Sequence, residues 1–146
     1  MITKTWEQYH ADIRKLGEVL GAYRPDILAP CMLGGLIPAA ILARELEVKD
    51  VRPIDIERHG DVRRLAYDIQ GDIKGRKVLI LEDDIPSGKG VLYAKQIFEG
   101  RGAEVKIAAV YVNPDTQKVA DFYAEVHENL PNYPHKQFHA GDRTRH

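Results

Sequence analysis

The stretch VLILEDDIPSGKG, residues 78–90, decides the fold predicted for this chain. It opens with four aliphatic residues, the pattern of a parallel strand that is buried on both faces. Carboxylates follow at positions 82–84, and a turn of small residues then leads into the helical sequence VLYAKQIFEGRG, residues 91–102. A strand, a turn and a helix in this order form one unit of an α/β fold.

The same alternation continues on both sides of this stretch. Apolar residues spaced by three and four positions predict a first helix that ends near Gly21; they are Trp6, Tyr9, Ile13, Leu16 and Leu20. Strands are predicted over residues 26–32, 51–56, 105–112 and 122–126, a second helix over residues 37–46, and an exposed loop over residues 57–71. We therefore predict an open, mostly parallel, doubly wound α/β sheet in a single domain spanning residues 1–146.

Composition limits the kinds of partner and compartment. The 146 residues include 21 basic and 22 acidic side chains, which give a formal net charge of −1. A nearly neutral chain has no overall attraction to nucleic acid or to an anionic membrane, so a charged ligand has to be bound by a local site. The single cysteine, Cys31, excludes an internal disulfide, and the N-terminal sequence lacks the layout of a signal peptide. We expect a cytoplasmic protein with no nucleic-acid or membrane partner.

Residues 86–90, called the phosphate turn below, have the chemistry of an anion site. Backbone N–H groups at a helix N-terminus bind phosphate, and Gly88 and Gly90 allow the backbone to come close to it. The carboxylates immediately upstream can accept hydrogen bonds from sugar hydroxyls, or hold Mg²⁺ through water. The spacing differs from that of the ATP-binding phosphate loop, GxxxxGK followed by Ser or Thr. The alternative is a plain strand-to-helix turn in which Ser87 caps the helix.

These residues resemble a known family. The stretch VLILEDDIPSGKG is similar to the phosphoribosyl diphosphate (PRPP) signature of type I phosphoribosyltransferases. CMLGGLIPAAILARELEV, residues 31–48, resembles their diphosphate loop and the helix after it, and VYVNP, residues 110–114, resembles the strand that leads to the purine. The resemblance is strongest to short bacterial and archaeal enzymes of purine salvage that act on xanthine, guanine or hypoxanthine. It implies transfer of ribose 5-phosphate from PRPP to a purine or purine-like nitrogenous base, with Mg²⁺ as cofactor, a small C-terminal hood segment and a homodimer.

The resemblance also assigns roles by position. Glu82 and Asp83 are the implied catalytic acids, which hold the ribose hydroxyls and, through water, Mg²⁺. The other implied contacts with PRPP, a nucleoside monophosphate or the base are Leu33, Gly34, Gly35, Asp84, Ile85, Pro86, Ser87, Gly88, Lys89, Gly90, Asn113, Tyr133, Arg63 and Arg64. Within this set, Asn113 would read the base and Tyr133 would stack on its ring. Residues 57–71 would form the flexible loop that closes over the site.

Three positions depart from the family pattern. Leu33 replaces a basic residue beside the diphosphate, Pro86 replaces an aspartate near the base, and Gly90 replaces a hydroxyl residue. Arg63 and Arg64 are the candidates to supply the missing cation. Two alternatives stay open: a nucleotide-binding or PRPP-binding regulatory protein without catalysis, and an enzyme that acts on an unusual nucleotide or ribosyl phosphate.

Overall fold

The computed structural model describes residues 2–136. Its helices are α1 (Trp6–Leu20), α2 (Leu36–Glu45) and α3 (Lys89–Gly100), and its strands are β1 (Ile27–Pro30), β2 (Asp55–His59), β3 (Val62–Tyr67), β4 (Lys77–Ile85), β5 (Glu104–Val112) and β6 (Phe122–Val126). Strands β1, β4, β5 and β6 form, in that order, a sheet in which every neighbouring pair is parallel, and β2 and β3 form an antiparallel hairpin. This topology confirms the predicted mostly parallel α/β sheet. Residues 137–146 lie outside the described residues. The predicted single domain and the predicted C-terminal hood segment both include them.

The helices lie on both faces of the four-stranded sheet. Successive residues of a strand face opposite sides, so Leu79 enters the core beneath α1 and α2 while Ile80 enters the core beneath α3. Helix α1 begins at a capping box in which Thr5 and Gln8 exchange hydrogen bonds between side chain and backbone. Within residues 2–136, none of the helices has the length and apolar character needed to cross a membrane.

Strand β4 is longer than the sequence predicts. The prediction ends the strand at Leu81 and places the carboxylates in a turn, whereas β4 continues to Ile85. The reason is its neighbour β5, which stays in parallel register beyond that point and pairs Asp84 with Tyr111 and Ile85 with Val112. The carboxylates are therefore fixed by sheet pairing and do not lie in a free loop.

The predicted exposed loop over residues 57–71 is also corrected, because most of it is the β2–β3 hairpin. Most of its side chains are polar and only two apolar ones pack against the core, which hides the strand pattern. Glu57 lies directly opposite Arg64 and forms an ion pair with it. Gly60, at a φ of 61°, closes the turn. The strand predicted over residues 51–56 is reduced to single bridges, from Val51 to β1 and from Ile54 to the residue that follows β1, and then to the start of β2.

The first described residues pair with the segment that follows β6. The Lys4 N–H donates to the Asn132 carbonyl at 2.7 Å. The Lys4 ammonium also bridges Asp12 on α1 at 3.0 Å and Glu125 on β6 at 2.9 Å. Burial alone would lower the pKa of Lys4, but its hydrogen bonds to Glu125 and Asp12 outweigh this effect and raise it. This network holds the residues after Asn132 close to the end of β4.

Candidate active site

Three loops meet at the carboxyl edge of the sheet, which is where ligands bind in folds of this kind. Residues 31–35 follow β1, the phosphate turn follows β4, and residues 113–121 follow β5. The Cys31 N–H donates to the Leu81 carbonyl at 2.9 Å and joins the first loop to β4. The Asn113 side chain joins the third loop to the phosphate turn at Pro86.

Two adjacent carboxylates are buried at the end of β4. Asp83 is 2% exposed and Asp84 is 8% exposed. One Asp83 oxygen accepts a hydrogen bond from the Asp84 N–H at 2.6 Å, and the other lies 3.3 Å from His135 Nε2. Asp84 accepts a hydrogen bond from the Tyr133 hydroxyl at 2.6 Å. Both carboxylates therefore contact the segment that follows β6, and they form the acid pair of this site.

Glu82, the other predicted catalytic acid, has a different neighbour. It is half-buried and lies beside the Cys31 thiol. Burial, and then the charge of Glu82, raise the pKa of Cys31 well above its ordinary value. The thiol stays protonated, so Cys31 is an inert core residue and not a nucleophile.

The carboxylates suit a magnesium ion that is bound mainly by its substrate. Among the described residues, no group of three or more His, Cys, Asp or Glu side chains is arranged to hold a metal ion. Mg²⁺ in phosphate sites is commonly held by one or two carboxylates together with substrate oxygens and water. Glu82 and Asp83 provide oxygen donors of that type.

Tyr133 is not placed to stack on the ring of a ligand, which corrects the prediction. It is fully buried, its ring stacks on Tyr9 with 5.1 Å between centroids, and the Tyr111 ring lies 5.5 Å away. Burial, and then the charges of Asp83 and Asp84, raise the pKa of Tyr133 far above its ordinary value. The hydroxyl therefore stays protonated and donates to Asp84.

The loop after β1 packs closely on the acid pair. A β-carbon added to Gly34 would stand 2.7 Å from Asp83 Oδ1 and still closer to the other carboxylate atoms. A β-carbon added to Gly35 would stand 2.9 Å from the backbone of Cys31. Both positions therefore require glycine. Leu33 is 55% exposed and carries no charge. At this position the loop therefore offers the site backbone groups but no positively charged side chain.

The phosphate turn leads into α3 without a side-chain cap. Gly88 is the N-cap residue, with a φ of 83°, and no side-chain hydrogen bond among the described residues caps this helix. Ser87 precedes the N-cap, and its hydroxyl accepts a long hydrogen bond of 3.4 Å from the Lys89 N–H. Ser87 as a plain helix cap is therefore not the arrangement observed. The N-terminal N–H groups of α3 suit an anion instead.

Asn113 is turned toward the phosphate turn. Its Nδ2 donates to the Pro86 carbonyl at 3.0 Å, and its Oδ1 accepts from the N–H groups of Asp115 and Thr116, each at 2.9 Å. The Thr116 hydroxyl donates to the Ile85 carbonyl at 2.6 Å. Oδ1 and one Nδ2 hydrogen of Asn113 therefore bind backbone, and its contact with a base stays a prediction.

The predicted cationic loop borders the phosphate turn as the β2–β3 hairpin. A β-carbon on Gly90 would lie 3.6 Å from Ile56 at the base of β2. The hydrogen bond and charge of Arg64 lower the pKa of Glu57. Arg63 precedes Arg64 on β3. Their contact with a diphosphate stays a prediction.

Sequence reasoning misses two residues of this site. His135 approaches Asp83 from 52 positions away, and Thr116 contacts Ile85 from 31 positions away. Nothing local marks His135. The Asn-Pro-Asp-Thr sequence over residues 113–116 is a turn pattern, however, and it could have indicated that Asn113 binds its own backbone.

Proteins of one kind resemble this chain in sequence and in structure. Residues 5–142 match the phosphoribosyl transferase domain family. A xanthine-guanine phosphoribosyltransferase of Cereibacter sphaeroides is 26% identical over 132 residues, which cover 82% of this chain and 75% of that relative. One of a Ruegeria species is 29% identical over 137 residues, which cover 82% and 74%. The crystal structure of a purine phosphoribosyltransferase from Pyrococcus horikoshii superposes with a TM-score of 0.85, 30% identity and 94% coverage of both chains.

Proposed function

The chain belongs to the phosphoribosyl transferase family, and on that premise we propose that it transfers ribose 5-phosphate from PRPP to a purine base and releases diphosphate. The names of the xanthine-guanine and purine enzymes that resemble it support a purine as the acceptor. We further propose that the chain acts as a single domain in the cytoplasm. The presence of a single cysteine, Cys31, which rules out an internal disulfide, agrees with that location.

The observation that carries this proposal is the presence of two binding elements on one segment. Asp83 and Asp84 end β4 as hydrogen-bond acceptors, and Gly88 begins α3 without a side-chain cap. A carboxylate offers about four acceptor positions, so one that is already hydrogen-bonded to the protein can still accept from a hydroxyl. Acceptors suit the hydroxyls of ribose, and N–H groups suit its 5′-phosphate. Ribose 5-phosphate carries both kinds of group in one small molecule.

In the proposed reaction, a ring nitrogen of the base forms a bond to C1 of the ribose while the bond from C1 to the diphosphate oxygen breaks. The diphosphate leaves with the bonding electron pair, and the base nitrogen loses its proton to solvent. The phosphate turn holds the 5′-phosphate and Asp83 holds the hydroxyls, which fixes C1 relative to the base. Positive charge develops on the sugar ring, and the carboxylates at the end of β4 stabilise it.

The diphosphate needs positive charge that Leu33 does not provide. We propose that Glu82 and Asp83 would hold Mg²⁺ through water, and that an ion bound there would supply positive charge for the diphosphate. Arg63 and Arg64 add charge when the hairpin closes, and Arg64 then exchanges its contact with Glu57 for the diphosphate. Each of these roles follows from the family and from the position of the hairpin beside the phosphate turn.

A second function is favoured by the departures from the family pattern. Leu33 gives the diphosphate loop no cation, and Pro86 offers no carboxylate to accept the proton of the base. A protein that keeps the ribose 5-phosphate site without turning over PRPP would have these features. This alternative is a nucleotide-binding regulatory protein.

The release of diphosphate separates the two functions. We would incubate the protein with PRPP, Mg²⁺ and, in turn, xanthine, guanine, hypoxanthine and adenine, and we expect turnover with at least one of the first three. Asp83→Ala should weaken the binding of guanosine 5′-monophosphate (GMP) by about 1.5–3 kcal/mol. The control is Glu99→Ala, which removes an exposed carboxylate near the far end of α3. Tight GMP binding without turnover of any base would select the regulatory function, and unchanged GMP affinity in Asp83→Ala would contradict both.

We propose that the chain forms a homodimer through the groove between α1 and α2. The groove has a volume of about 340 Å³ and is lined by Trp6, Glu7, Tyr9, His10, Ile37 and Ile41. Trp6 is 57% exposed, and exposed apolar surface of this kind is typical of protein interfaces. Tyr9 is buried within its own chain and needs no cover from a partner.

A further inference from the structure

The loop after β5, residues 113–121, contacts the end of β4 at one point and the phosphate turn at two. The Thr116 hydroxyl binds the Ile85 carbonyl at 2.6 Å, and the Asn113 amide binds the Pro86 carbonyl at 3.0 Å. Val119 then packs on Gly88, where an added β-carbon would stand 2.9 Å from Val119 Cγ2. Each contact is made to backbone, so it fixes the path of the turn whatever its side chains are.

The loop is itself rigid. The Asn113 oxygen accepts hydrogen bonds from the N–H groups of Asp115 and Thr116, and the Asn113 N–H donates to the Thr116 hydroxyl at 3.1 Å. Thr116 is 1% exposed. Its hydroxyl therefore has little freedom to leave the Ile85 carbonyl for water.

Fixing a carbonyl also fixes the next N–H group. A trans peptide unit is planar, and its N–H points away from its C=O. Holding the Pro86 carbonyl against Asn113 therefore fixes the Ser87 N–H on the opposite side of the peptide from Asn113. A binding site whose donors are set before the ligand arrives loses less free energy when the ligand binds.

We propose that Asn113 and Thr116 are positioning residues that set the affinity of the phosphate turn for the 5′-phosphate without touching it. This inference depends on the proposed function, because it takes the phosphate turn to be the site of the 5′-phosphate. It gives Asn113 a role other than reading the base. It also predicts that the two residues affect the phosphate group of a nucleotide and not its base or sugar.

The test compares the affinities for GMP and for guanosine, which differ only by the phosphate, using ligand-observed NMR. Thr116→Val removes the hydroxyl and keeps the shape, and Thr116→Ser keeps the hydroxyl. We expect Thr116→Val to weaken GMP binding at least tenfold, to leave guanosine binding unchanged, and to be rescued in Thr116→Ser. A role in general stability alone would weaken both ligands together.

Asn113→Asp keeps the test decisive if Thr116→Val fails to fold, since Asn113 is only half-buried. Aspartate keeps the oxygen that accepts from Asp115 and Thr116 but places a second oxygen against the Pro86 carbonyl. The control is Asn129→Asp, which adds the same charge at an exposed position. We expect a loss of GMP affinity in Asn113→Asp and none in Asn129→Asp.

The outcomes separate the inference from its premise. The first outcome is that the wild-type protein prefers GMP to guanosine and that the Thr116→Val and Asn113→Asp variants keep this preference. The proposed positioning role would then be wrong, while the phosphate site would be supported. If the wild-type protein shows no preference for GMP, the phosphate site fails and the inference fails with it.

Discussion

Replacing Gly34 with alanine tests whether the Asp83 carboxylate must stay where β4 holds it. The new β-carbon would stand 2.7 Å from Asp83 Oδ1 and closer still to Oδ2, whereas ordinary contact begins at 3.4 Å, so the carboxylate has to retreat by more than about 1 Å. Asp83 is buried and hydrogen-bonded to Asp84, so this movement disturbs the acid pair. A displacement of about 1 Å costs on the order of 10²-fold in rate. We expect kcat/KM for PRPP to fall by about 10- to 100-fold, and the free energy of unfolding to fall by about 1–3 kcal/mol.

Two other glycines serve as controls. Gly100, the last residue of α3, has no atom within 4 Å of an added β-carbon, so Gly100→Ala should keep full activity and the same or slightly higher stability. At Gly35 the obstacle is the backbone of Cys31 and the carbonyl of Leu81, which cannot rotate away as a side chain can. Gly35→Ala should therefore cost more stability than Gly34→Ala. Steady-state diphosphate release and urea unfolding measure both properties.

A double variant identifies the cause of the loss. Asp83→Ala removes the obstacle, so adding Gly34→Ala to that background should cost no further activity or stability. If Gly34→Ala instead lowers activity by the same factor in both backgrounds, it acts on something other than Asp83. Wild-type kcat/KM in Gly34→Ala alone would refute the reasoning, because it would show that the loop yields or that the position of the carboxylate does not matter.

The remaining predictions concern the surroundings of the site. Burial acts to raise the pKa of Glu125, but its hydrogen bonds, first that with Lys4, lower the pKa below the ordinary value of 4.5. The ionised Glu125 carboxylate therefore stabilises the fold above pH 4.5, and this stabilisation is lost as the pH falls through the folded-state pKa. Glu125→Gln should accordingly flatten the loss of stability below about pH 5 in urea unfolding, and an unchanged pH profile would contradict this. Replacing both Arg63 and Arg64 by alanine should reduce PRPP turnover at least tenfold, about 1.4 kcal/mol of transition-state stabilisation, and leave GMP affinity nearly intact. Trp6→Glu should convert the homodimer to a monomer in light scattering, and a wild-type monomer at micromolar concentration would remove the dimer proposal.

The sequence predicts the elements whose pattern is local. The predicted strand over residues 122–126 coincides with β6, and the apolar stripe of the first helix is buried in α1 except for Trp6. These patterns depend only on which face of an element meets the core. The resemblance to the phosphoribosyltransferases, confirmed by the family match, extends the prediction to the phosphate turn.

The parts that the sequence does not predict depend on distant contacts. Carboxylates usually mark an exposed turn, but Asp84 stays within β4 because it pairs with β5 and receives a hydrogen bond from Tyr133, 49 positions away. By its position in the sequence, Tyr133 is a candidate to stack on the base. Only its burial against Tyr9 shows that its ring is not available to a ligand and that its hydroxyl donates to Asp84. The hairpin is missed for a related reason, since strands in which most side chains are polar lack the clear alternation that identifies a strand.

The pairing of Lys4 with Asn132 has a consequence for the synthesis of the protein. The N-terminus leaves the ribosome first, so Lys4 can pair with Asn132 only after the residues between them have been made. Tyr133 and His135, the partners of Asp84 and Asp83, come immediately after Asn132. The sheet and the phosphate turn can therefore form on a nascent chain whose acid pair still lacks these two partners. A product released before residue 133 would keep the segment that identifies the family and lack the contacts that hold its carboxylates in place.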